Sequence, residues 1–336
     1  MPFTLHFDSR NNTEILDISD LEELAIAKCI GANKYNNIVF DKHFNQPIPK
    51  LPTFIKNLTF GHNFNQDISG IGDHIESIIF EFADFNYNLA TFPKGLRELK
   101  IISDKISSRI ENINPGLENL TIQSTTFNDE IKLANTNIKS VKIQSYSFNR
   151  SLQELPPGLK SLEIVSDSFN SSIDNLPPGL ELLKITCAAF NQPINNLPPG
   201  LKSLILESVC LFQQPLNNLP HGLEYFNFDL GYYNGLSVYK QTLEHLPNSI
   251  IKMVLSNFWG DLNTIGDGVV ELDIWFPSHT SKDICTHIQH WKKIPSSLKI
   301  LNISCVNTSL YNKHDVVDII KTNINCNGIC INGIDM

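Results

Sequence analysis

The sequence predicts a repeat solenoid in which each coil contributes one short strand to a parallel sheet. Three observations support this: a Phe recurs every 20 to 22 residues, a Leu-Pro-Pro-Gly-Leu segment follows it, and a strand-like Leu-x-Ile ends the unit. So regular a period is typical of coils that stack on their neighbours. The recurring position holds Phe44, Phe64, Phe85, Ile106, Phe127, Phe148, Phe169, Phe190 and Phe212. A binding surface is therefore expected before a catalytic cleft.

The apolar residues of one coil indicate which parts face the core. The last two of them, Leu162 and Ile164, are separated by one polar residue, which is the period of a strand with one buried face. Pro156 and Pro157 forbid a helix between strands, because proline lacks the N–H donor and pushes its predecessor into extended geometry. The return segment is therefore predicted to be extended, with Gly158 turning the chain. The apolar residues are Leu152, Leu155, Leu159, Leu162 and Ile164.

The recurring Phe side chains are predicted to stack as an internal aromatic column, and the Asn after each is predicted to turn inward. A buried amide must be hydrogen-bonded, and an Asn side chain can satisfy backbone groups at a bend. The sequence therefore assigns these residues a structural role. They are Asn45, Asn65, Asn86, Asn128, Asn149, Asn170 and Asn191.

Phe-Asn-Gln-Pro-Ile occurs at residues 44–48 and 190–194, and Leu-Pro-Pro-Gly-Leu-Lys-Ser-Leu occurs at residues 155–162 and 197–204. Over roughly residues 40–230 the chain resembles the FNIP repeat, a relative of leucine-rich repeats found in slime moulds and giant viruses of amoebae. The resemblance implies a β-rich, leucine-rich-repeat-like solenoid of the α/β superclass, used for protein binding. Some members carry an N-terminal F-box, which would make them substrate adaptors of a ubiquitin ligase.

One continuous solenoid domain is expected, with a curved parallel sheet and a helical cap at each end. Residues 1–40 are predicted to form the N-terminal cap, with a strand at residues 3–7. A helix should follow it, because Ser19 and Glu22 form a capping box and Gly31 is a stop signal. These residues are too few for the helices of an F-box.

The regular pattern loosens towards the C-terminus. Insertions at residues 231–241 and 277–290 interrupt the spacing, and extra loops on a repeat are often functional. A final helix at residues 313–323 is predicted to close the end. In order, the divisions are regular repeats at 41–230, degenerate repeats at 231–304 and a C-terminal cap at 305–336.

The composition favours a cytoplasmic protein without a nucleic-acid or membrane partner. A net charge of −9 and a pI near 5.6, without clustered Lys or Arg, argue against phosphate neutralisation. The seven scattered Cys residues suit a reducing compartment. Neither a signal-peptide pattern nor a run of about 18 apolar residues occurs.

Motifs that could carry chemistry are sparse. A zinc site is one interpretation of Cys285, His287, His290, Cys305, Cys326 and Cys330. His287 with His290 and Cys326 with Cys330 have the spacing of zinc ligand pairs, but the distance between the two pairs is unusual. Cysteine is also common as a plain buried apolar residue. No phosphate loop, nucleophile elbow or metalloprotease motif is present. The sequence therefore predicts no metal, no cofactor, no catalytic residues and no enzyme.

Three functions from different classes stay open. The first is a monomeric scaffold that binds an unidentified protein along its concave sheet face. The second is a ubiquitin-ligase substrate adaptor without a recognisable F-box, and the third is a structural repeat protein without a specific partner. The insertion at residues 231–241 is the alternative binding surface. The predicted concave-face residues are Thr121, Gln123, Lys142, Gln144, Glu163 and Lys184.

Charge alternates at the position that flanks each strand. Equivalent residues of adjacent coils in a parallel sheet lie about 4.8 Å apart, so alternating charges attract one another. We therefore predict a ladder of ion pairs beside the sheet, termed the flanking ladder. Its residues are Lys56, Glu76, Arg97, Glu118, Lys139, Lys160, Glu181, Lys202 and Glu224.

Overall fold

The computed structural model divides the chain into two compact units, unit 1 at Met1–Lys160 and unit 2 at Ser161–Met336. It describes residues 5–8, 13–18, 36–81, 85–106, 109–231, 242–276, 286–305, 318, 330–331 and 334–335. The predicted N-terminal helix lies outside these ranges, and so do the C-terminal helix apart from residue 318 and most of both insertions. No described helix is long and apolar enough to cross a membrane.

Unit 1 is built from strands that pair in chain order. The first two, β1 and β2, form an antiparallel hairpin, and from β2 to β8 each strand pairs in parallel with the next. The sequence predicted only one strand before residue 37, and the hairpin adds a second. The strands are β1 (Leu5–Asp8), β2 (Thr13–Ile18), β3 (Asn37–Phe40), β4 (Asn57–Phe60), β5 (Ser77–Glu81), β6 (Glu98–Ile102), β7 (Asn119–Gln123) and β8 (Ser140–Gln144).

Unit 2 repeats the same design, and it includes the degenerate coils. Its strands pair in parallel from β9 to β16, and β17 pairs antiparallel with β16. The strands are β9 (Ser161–Val165), β10 (Leu182–Thr186), β11 (Ser203–Glu207), β12 (Tyr225–Asp229), β13 (Lys252–Ser256), β14 (Glu271–Phe276), β15 (Ile300–Cys305), β16 (Cys330–Ile331) and β17 (Ile334–Asp335). Each unit is therefore a leucine-rich-repeat-like solenoid.

Alternation within the strands from β3 to β15 buries one face of the sheet and leaves the opposite face partly exposed. In β9, Leu162 and Ile164 are fully buried, whereas Glu163 between them is half-buried. The register places identical residues next to each other, since Leu162 pairs with Leu183 and Ile164 with Ile185 of the next strand. Burying a Leu or Ile side chain stabilises the fold by about 1.5–3 kcal/mol, so each coil adds apolar burial to its neighbour's.

The return segments are mostly extended, as the prolines require. The carbonyl of Pro156 accepts a hydrogen bond from the N–H of Leu159 at 3.1 Å, which closes a tight turn around Pro157 and Gly158. Short 3₁₀ turns replace the extended path at Leu89–Thr91 and Leu262–Thr264. Both coils lack the proline pair, and in the first of them the Asn88 side chain accepts from the N–H of Ala90.

The recurring Phe side chains are buried and stacked. Ring centroids of Phe169 and Phe190 lie 5.9 Å apart, and those of Phe190 and Phe212 lie 6.0 Å apart. A second aromatic column, which was not predicted, occupies the strand ends of unit 1. Its rings, Phe40, Phe60 and Phe80, are separated by 5.0 and 5.3 Å.

None of the Asn residues that follow the recurring Phe positions is buried, so the prediction that they turn inward is wrong: five are exposed, and Asn128 and Asn191 are half-buried. Asn170 is exposed, and its Oδ1 accepts a hydrogen bond from the backbone N–H of Asn191 at 2.9 Å. Asn45 makes the same contact with the N–H of Asn65. The turn at Phe leaves the next residue outside the core, where its amide satisfies the backbone of the following coil.

A polar ladder lies inside the fold, three residues before several of the recurring Phe positions. Ser145 is 2% exposed, and its hydroxyl donates to the carbonyl of Phe127 at 2.7 Å. Cys187 takes the same place in a later coil, with its thiol donating to the carbonyl of Phe169 at 3.2 Å. Burial raises the pKa of this thiol, so it stays protonated and acts as a donor. The sequence period alone does not predict this ladder.

Candidate protein-binding surface

In each unit the outward side of the strands forms one surface, called the sheet face. It consists of the first, third and fifth residues of the strands from β3 to β15, whose side chains point away from the buried Leu and Ile. Neighbouring strands lie about 4.8 Å apart, so the side chains form continuous rows across each unit. Such rows offer a partner a regular array of contacts.

In unit 1 the sheet face is rich in amides and hydroxyls. Thr121 pairs in register with Lys142, and Gln123 pairs with Gln144. The structure thus places these four predicted residues side by side on β7 and β8. Gln144 is exposed, and the other three are half-buried by their neighbours.

In unit 2 the sheet face carries charged side chains that are fixed in ion pairs with neighbouring strands, called the held charges. The remaining predicted residues, Glu163 and Lys184, pair in register on β9 and β10. The ammonium of Lys184 lies 2.7 Å from the carboxylate of Glu207 on β11. That carboxylate also accepts from the hydroxyl of Thr186 at 3.1 Å and from the amide of Asn227 at 3.5 Å. Glu207 was missed because only the register of the third and fifth strand positions identifies it.

A second charged cluster lies on β13, β14 and β15. Lys252 contacts Glu271 at 2.6 Å and Asp273 at 3.6 Å, and Asn302 donates to Asp273 at 2.7 Å. The hydrogen bond to Glu271 raises the pKa of Lys252, because it stabilises the charged ammonium. None of these residues was predicted, because they belong to degenerate coils.

Large apolar side chains are exposed beside this cluster. Trp275 is 41% exposed and Ile300 is 39% exposed. Both belong to the sheet face, and Trp275 lies in register between Ser256 and Ser304. Small neighbours leave the indole accessible, and Trp is among the residue types most enriched at the energetic centres of interfaces.

Asp229 is the half-buried last residue of its strand and lies next to the insertion. Its carboxylate accepts from the N–H of Gly231 at 2.9 Å and from the N–H of Ser208 at 3.4 Å. Burial nevertheless raises the pKa of this carboxyl, since desolvation outweighs the two bonds. Gly231 has a φ of +62°, which favours glycine. The rest of the alternative binding surface, residues 232–241, follows this turn and lies outside the described residues.

The flanking ladder is confirmed in unit 1. Lys56 lies 3.0 Å from Glu76, and Glu118 lies between Arg97 at 2.8 Å and Lys139 at 3.2 Å. The hydrogen bond from Lys139 lowers the pKa of the Glu118 carboxyl. These pairs lie beside the sheet face and not on it.

In unit 2 the ladder is looser. Both Lys202 and Glu224 are exposed, and within the described part of this unit no ion pair joins them. Water solvates an exposed pair nearly as well as its partner does, so the alternation need not produce a contact.

The residues of the candidate zinc site are only partly described. Cys285 and Cys326 fall outside the described ranges, and only the backbone of Cys305 and Cys330 is described. Among the residues that the structure does describe, no group of three or more His, Cys, Asp or Glu side chains could hold a metal ion.

The fold and its rows of strand residues define a leucine-rich-repeat-like repeat protein. Residues 44–82 match the family model of the FNIP Repeat. The fold of this chain resembles CroV588, a giant-virus protein described as a novel circular LRR protein structure, with a TM-score of 0.64 and 24% sequence identity. That alignment covers 90% of this chain and 43% of CroV588, so the chain spans less than half of the relative.

A second similarity is much weaker. The pneumococcal vaccine antigen PcpA aligns over 90% of this chain and 80% of its own, with 11% identity and a TM-score of 0.24, and adds nothing to the assignment of the fold. No curated protein sequence is significantly similar to the chain.

Proposed function

We propose that this protein is a non-enzymatic scaffold that binds a partner protein on the sheet face of unit 2, from β10 to β15. Repeat solenoids of this kind are typical of interaction scaffolds. The observation that carries the proposal is the combination of held charges with an exposed Trp275 on a single face. The flanking ladder of unit 1 offers no such combination.

The held charges lower the cost of binding. Lys184 and Lys252 are already fixed by carboxylates at 2.7 and 2.6 Å, so a partner need not immobilise them. Charged rows also select the partner, because a like charge placed opposite costs several kcal/mol. Trp275 then supplies the apolar anchor that converts contact area into affinity.

The test compares face variants with matched variants elsewhere. A reproducible partner is captured from cell lysate with the unmodified chain, and its affinity is then measured for Trp275→Ala and Lys184→Glu. We expect Trp275→Ala to weaken binding about 30-fold, as for an interface centre. Leu211→Ala, which changes a 54% exposed apolar residue, and Lys202→Glu serve as controls and should bind normally.

Removal of residues 232–241 separates the two candidate surfaces. If that deletion abolishes binding while the face variants bind normally, the insertion is the site and the proposal is wrong. Ligase subunits among the captured proteins would favour the adaptor function instead.

A further inference from the structure

Strand β14 presents two carboxylates and an exposed indole in one row, called the β14 row. Glu271, Asp273 and Trp275 are its first, third and fifth residues, so their side chains lie on the same face of the sheet. Neighbouring members of the row are about 7 Å apart, which is two residues of extended chain. All three are accessible to a partner, because the two carboxylate side chains are 31% and 29% exposed and Trp275 is 41% exposed.

The strands on the two sides of the β14 row differ in charge. On β13, Lys252 contacts Glu271 at 2.6 Å and lies 3.6 Å from Asp273. On β15, the residues in register with the row carry no charge. They are Ile300, Asn302 and Ser304. The two carboxylates therefore share one ammonium group, which reaches them from one side only.

Asp273 can accept more hydrogen bonds than the described residues give it. Its Oδ1 accepts from the amide of Asn302 at 2.7 Å, and the contact of its Oδ2 with Lys252 at 3.6 Å is longer than an ordinary hydrogen bond. A carboxylate offers about four lone-pair sites. The row also stabilises positive charge, since the hydrogen bond to Glu271 and the charge of Asp273 raise the pKa of Lys252. Acceptor sites for a second cation are therefore present.

The excess of acidic groups extends over the whole sheet face of unit 2. This face holds five carboxyl groups but only two ammonium groups, those of Lys184 and Lys252, whereas the sheet face of unit 1 holds two of each. The five are Glu163, Glu207, Asp229, Glu271 and Asp273. The charged residues of the unit 1 face are Glu81, Glu98, Lys100 and Lys142. Unit 2 therefore repels an acidic partner, including a second copy of this chain with its net charge of −9, and attracts a basic one.

We propose that the β14 row binds an extended basic segment of the partner protein, with arginine at two alternate positions. One guanidinium stacks on the indole of Trp275, whose face attracts cations, and pairs with Asp273. The other pairs with Glu271, while its apolar stem packs on Ile300, the register neighbour of Glu271. Alternate side chains of an extended segment are about 7 Å apart, which matches the spacing of the row. This inference rests on the proposed function, because it names the chemistry of the partner that the face binds.

Arginine suits the row better than lysine does. A guanidinium is planar, so it can lie flat on the indole and still donate two parallel hydrogen bonds to a carboxylate. An ammonium group is a strongly hydrated point charge without this geometry. The combination of Trp275 with Asp273 two residues before it therefore favours an arginine at the first position.

The first experiment measures the binding of synthetic peptides to the full-length chain by titration calorimetry. The probe is Gly-Ser-Arg-Ser-Arg-Ser-Gly with blocked ends. In the comparison peptide both arginines are replaced by citrulline, which keeps the shape of the side chain and removes its charge. The arginine peptide should bind with a Kd on the order of 0.1 mM at low salt, and the citrulline peptide about tenfold more weakly. Added NaCl should weaken binding of the arginine peptide, because salt screens exposed charges.

Two variants locate the site on the chain. Asp273→Asn keeps the shape of the side chain but removes its charge, and should weaken binding of the arginine peptide about tenfold. Trp275→Leu keeps an apolar side chain but loses the aromatic face, and should weaken it about fivefold. Glu98→Gln is the matched control, because it removes an exposed carboxylate from the sheet face of unit 1, and it should bind like the unmodified chain. Thermal melts establish that the variants fold, and the comparison with citrulline needs no variant.

Other outcomes overturn the inference, and they differ from a failure of the proposed function. Equal binding of the arginine and citrulline peptides would disprove it, and so would stronger binding of a peptide with glutamate in place of arginine. Dimerisation that Trp275→Leu abolishes would identify a second copy of the chain as the occupant. A captured partner that requires Trp275 but binds Asp273→Asn normally would leave the proposed function standing and refute the basic segment. Arginine binding at the row without any captured partner that depends on Trp275 would support the chemistry of the row and count against the proposed function.

Discussion

Among the described residues, the ion pairs of the flanking ladder lie beside the strands of unit 1, whereas the pairs of Lys184 and Lys252 lie on the sheet face of unit 2. Lys56 and Glu76 of the flanking ladder have side chains 35% and 48% exposed. Lys184 and Glu207 on the sheet face are 27% and 29% exposed. The same coil design therefore supports two uses of charge. Flanking pairs contribute to register, while face pairs are shielded by neighbouring strands and shape a surface.

Both units have a buried aromatic core, and substitutions in this core should reduce the stability of the protein most. Phe64→Ala in unit 1 and Phe169→Ala in unit 2 should each destabilise the protein by about 3–5 kcal/mol, because a large buried ring is lost and a cavity remains. Denaturant melts measure both. Phe64→Ala should reduce the free energy of unfolding more than Phe169→Ala, since the Phe64 ring lies 4.1 Å from that of Phe60 in the second aromatic column.

Leu211→Ala is the matched control for the core variants, because Leu211 is 54% exposed. Its effect should stay within about 0.5 kcal/mol. Near-normal stability of Phe169→Ala would disprove the shared core.

Substitution of the Asn that follows the recurring Phe should give the next largest loss of stability. Asn170 accepts from the N–H of Asn191 and from the amide of Gln192 at 3.2 Å. Asn170→Ala should cost about 0.5–1.5 kcal/mol, because water can replace part of these bonds at an exposed site. Urea melts should show the same loss for Asn45→Ala in unit 1. Asn175→Ala is the control, since its exposed side chain has no hydrogen-bond partner among the described residues.

Double-mutant cycles sharpen the contrast between face and flank. The coupling free energy of Lys252 and Glu271 on the face should be about 0.5–1 kcal/mol, and that of Lys56 and Glu76 on the flank about 0–0.5 kcal/mol. Unfolding is measured in urea, which is uncharged and leaves the ion pairs unscreened. Equal couplings would show that position relative to the sheet does not matter.

The smallest expected effect on stability is its pH dependence, which involves two carboxyl groups with opposite pKa shifts. The pKa of Glu118 is lowered from 4.5 by its bond to Lys139, so its stabilising contribution is present above that value and is lost as the pH falls through the folded pKa. The pKa of Asp229 is raised from 3.8 by burial. Its contribution is therefore present below that value and is lost as the pH rises through the folded pKa.

Carboxyl ¹³C NMR titration measures both groups in one sample. We expect Glu118 to titrate below its ordinary range and Asp229 above its own. In Glu118→Gln and Asp229→Asn the corresponding signals disappear, which assigns them. Shifts in the same direction would contradict the electrostatic contrast between the two carboxyl groups.

The repeat spacing made the core residues predictable, but it did not indicate whether the neighbouring side chains face the core or the solvent. The interval between Phe148 and Phe169 identified the coil and its buried strand residues. The same interval placed Asn170 correctly along the chain and on the wrong side of it, because a period fixes position and leaves orientation to the local turn. The hydroxyl of Ser145 and the thiol of Cys187 were missed for a related reason, since Ser and Cys look unlike although both donate to the same carbonyl position.

The candidate surface was predictable only where the repeats are regular. Thr121 and Lys142 follow from strand alternation alone. Lys252 and Trp275 lie in coils with irregular spacing, where register is set by strand pairing and not by sequence period. Contacts of this kind depend on which strands become neighbours, and the sequence does not state that directly.

The bond between successive Asn residues also bears on how such a chain can lengthen. Asn128 accepts from the N–H of Asn149 with its Oδ1, so every coil with this bond gives an acceptor to the coil after it and takes one from the coil before. A gene segment that encodes one whole coil carries both halves of this bond. Its tandem duplication therefore inserts a coil with its backbone already satisfied on both sides, whereas duplication of half a coil breaks the bond at each junction. Selection for intact coils alone is then enough to keep the period near 21 residues, the interval between Asn128 and Asn149.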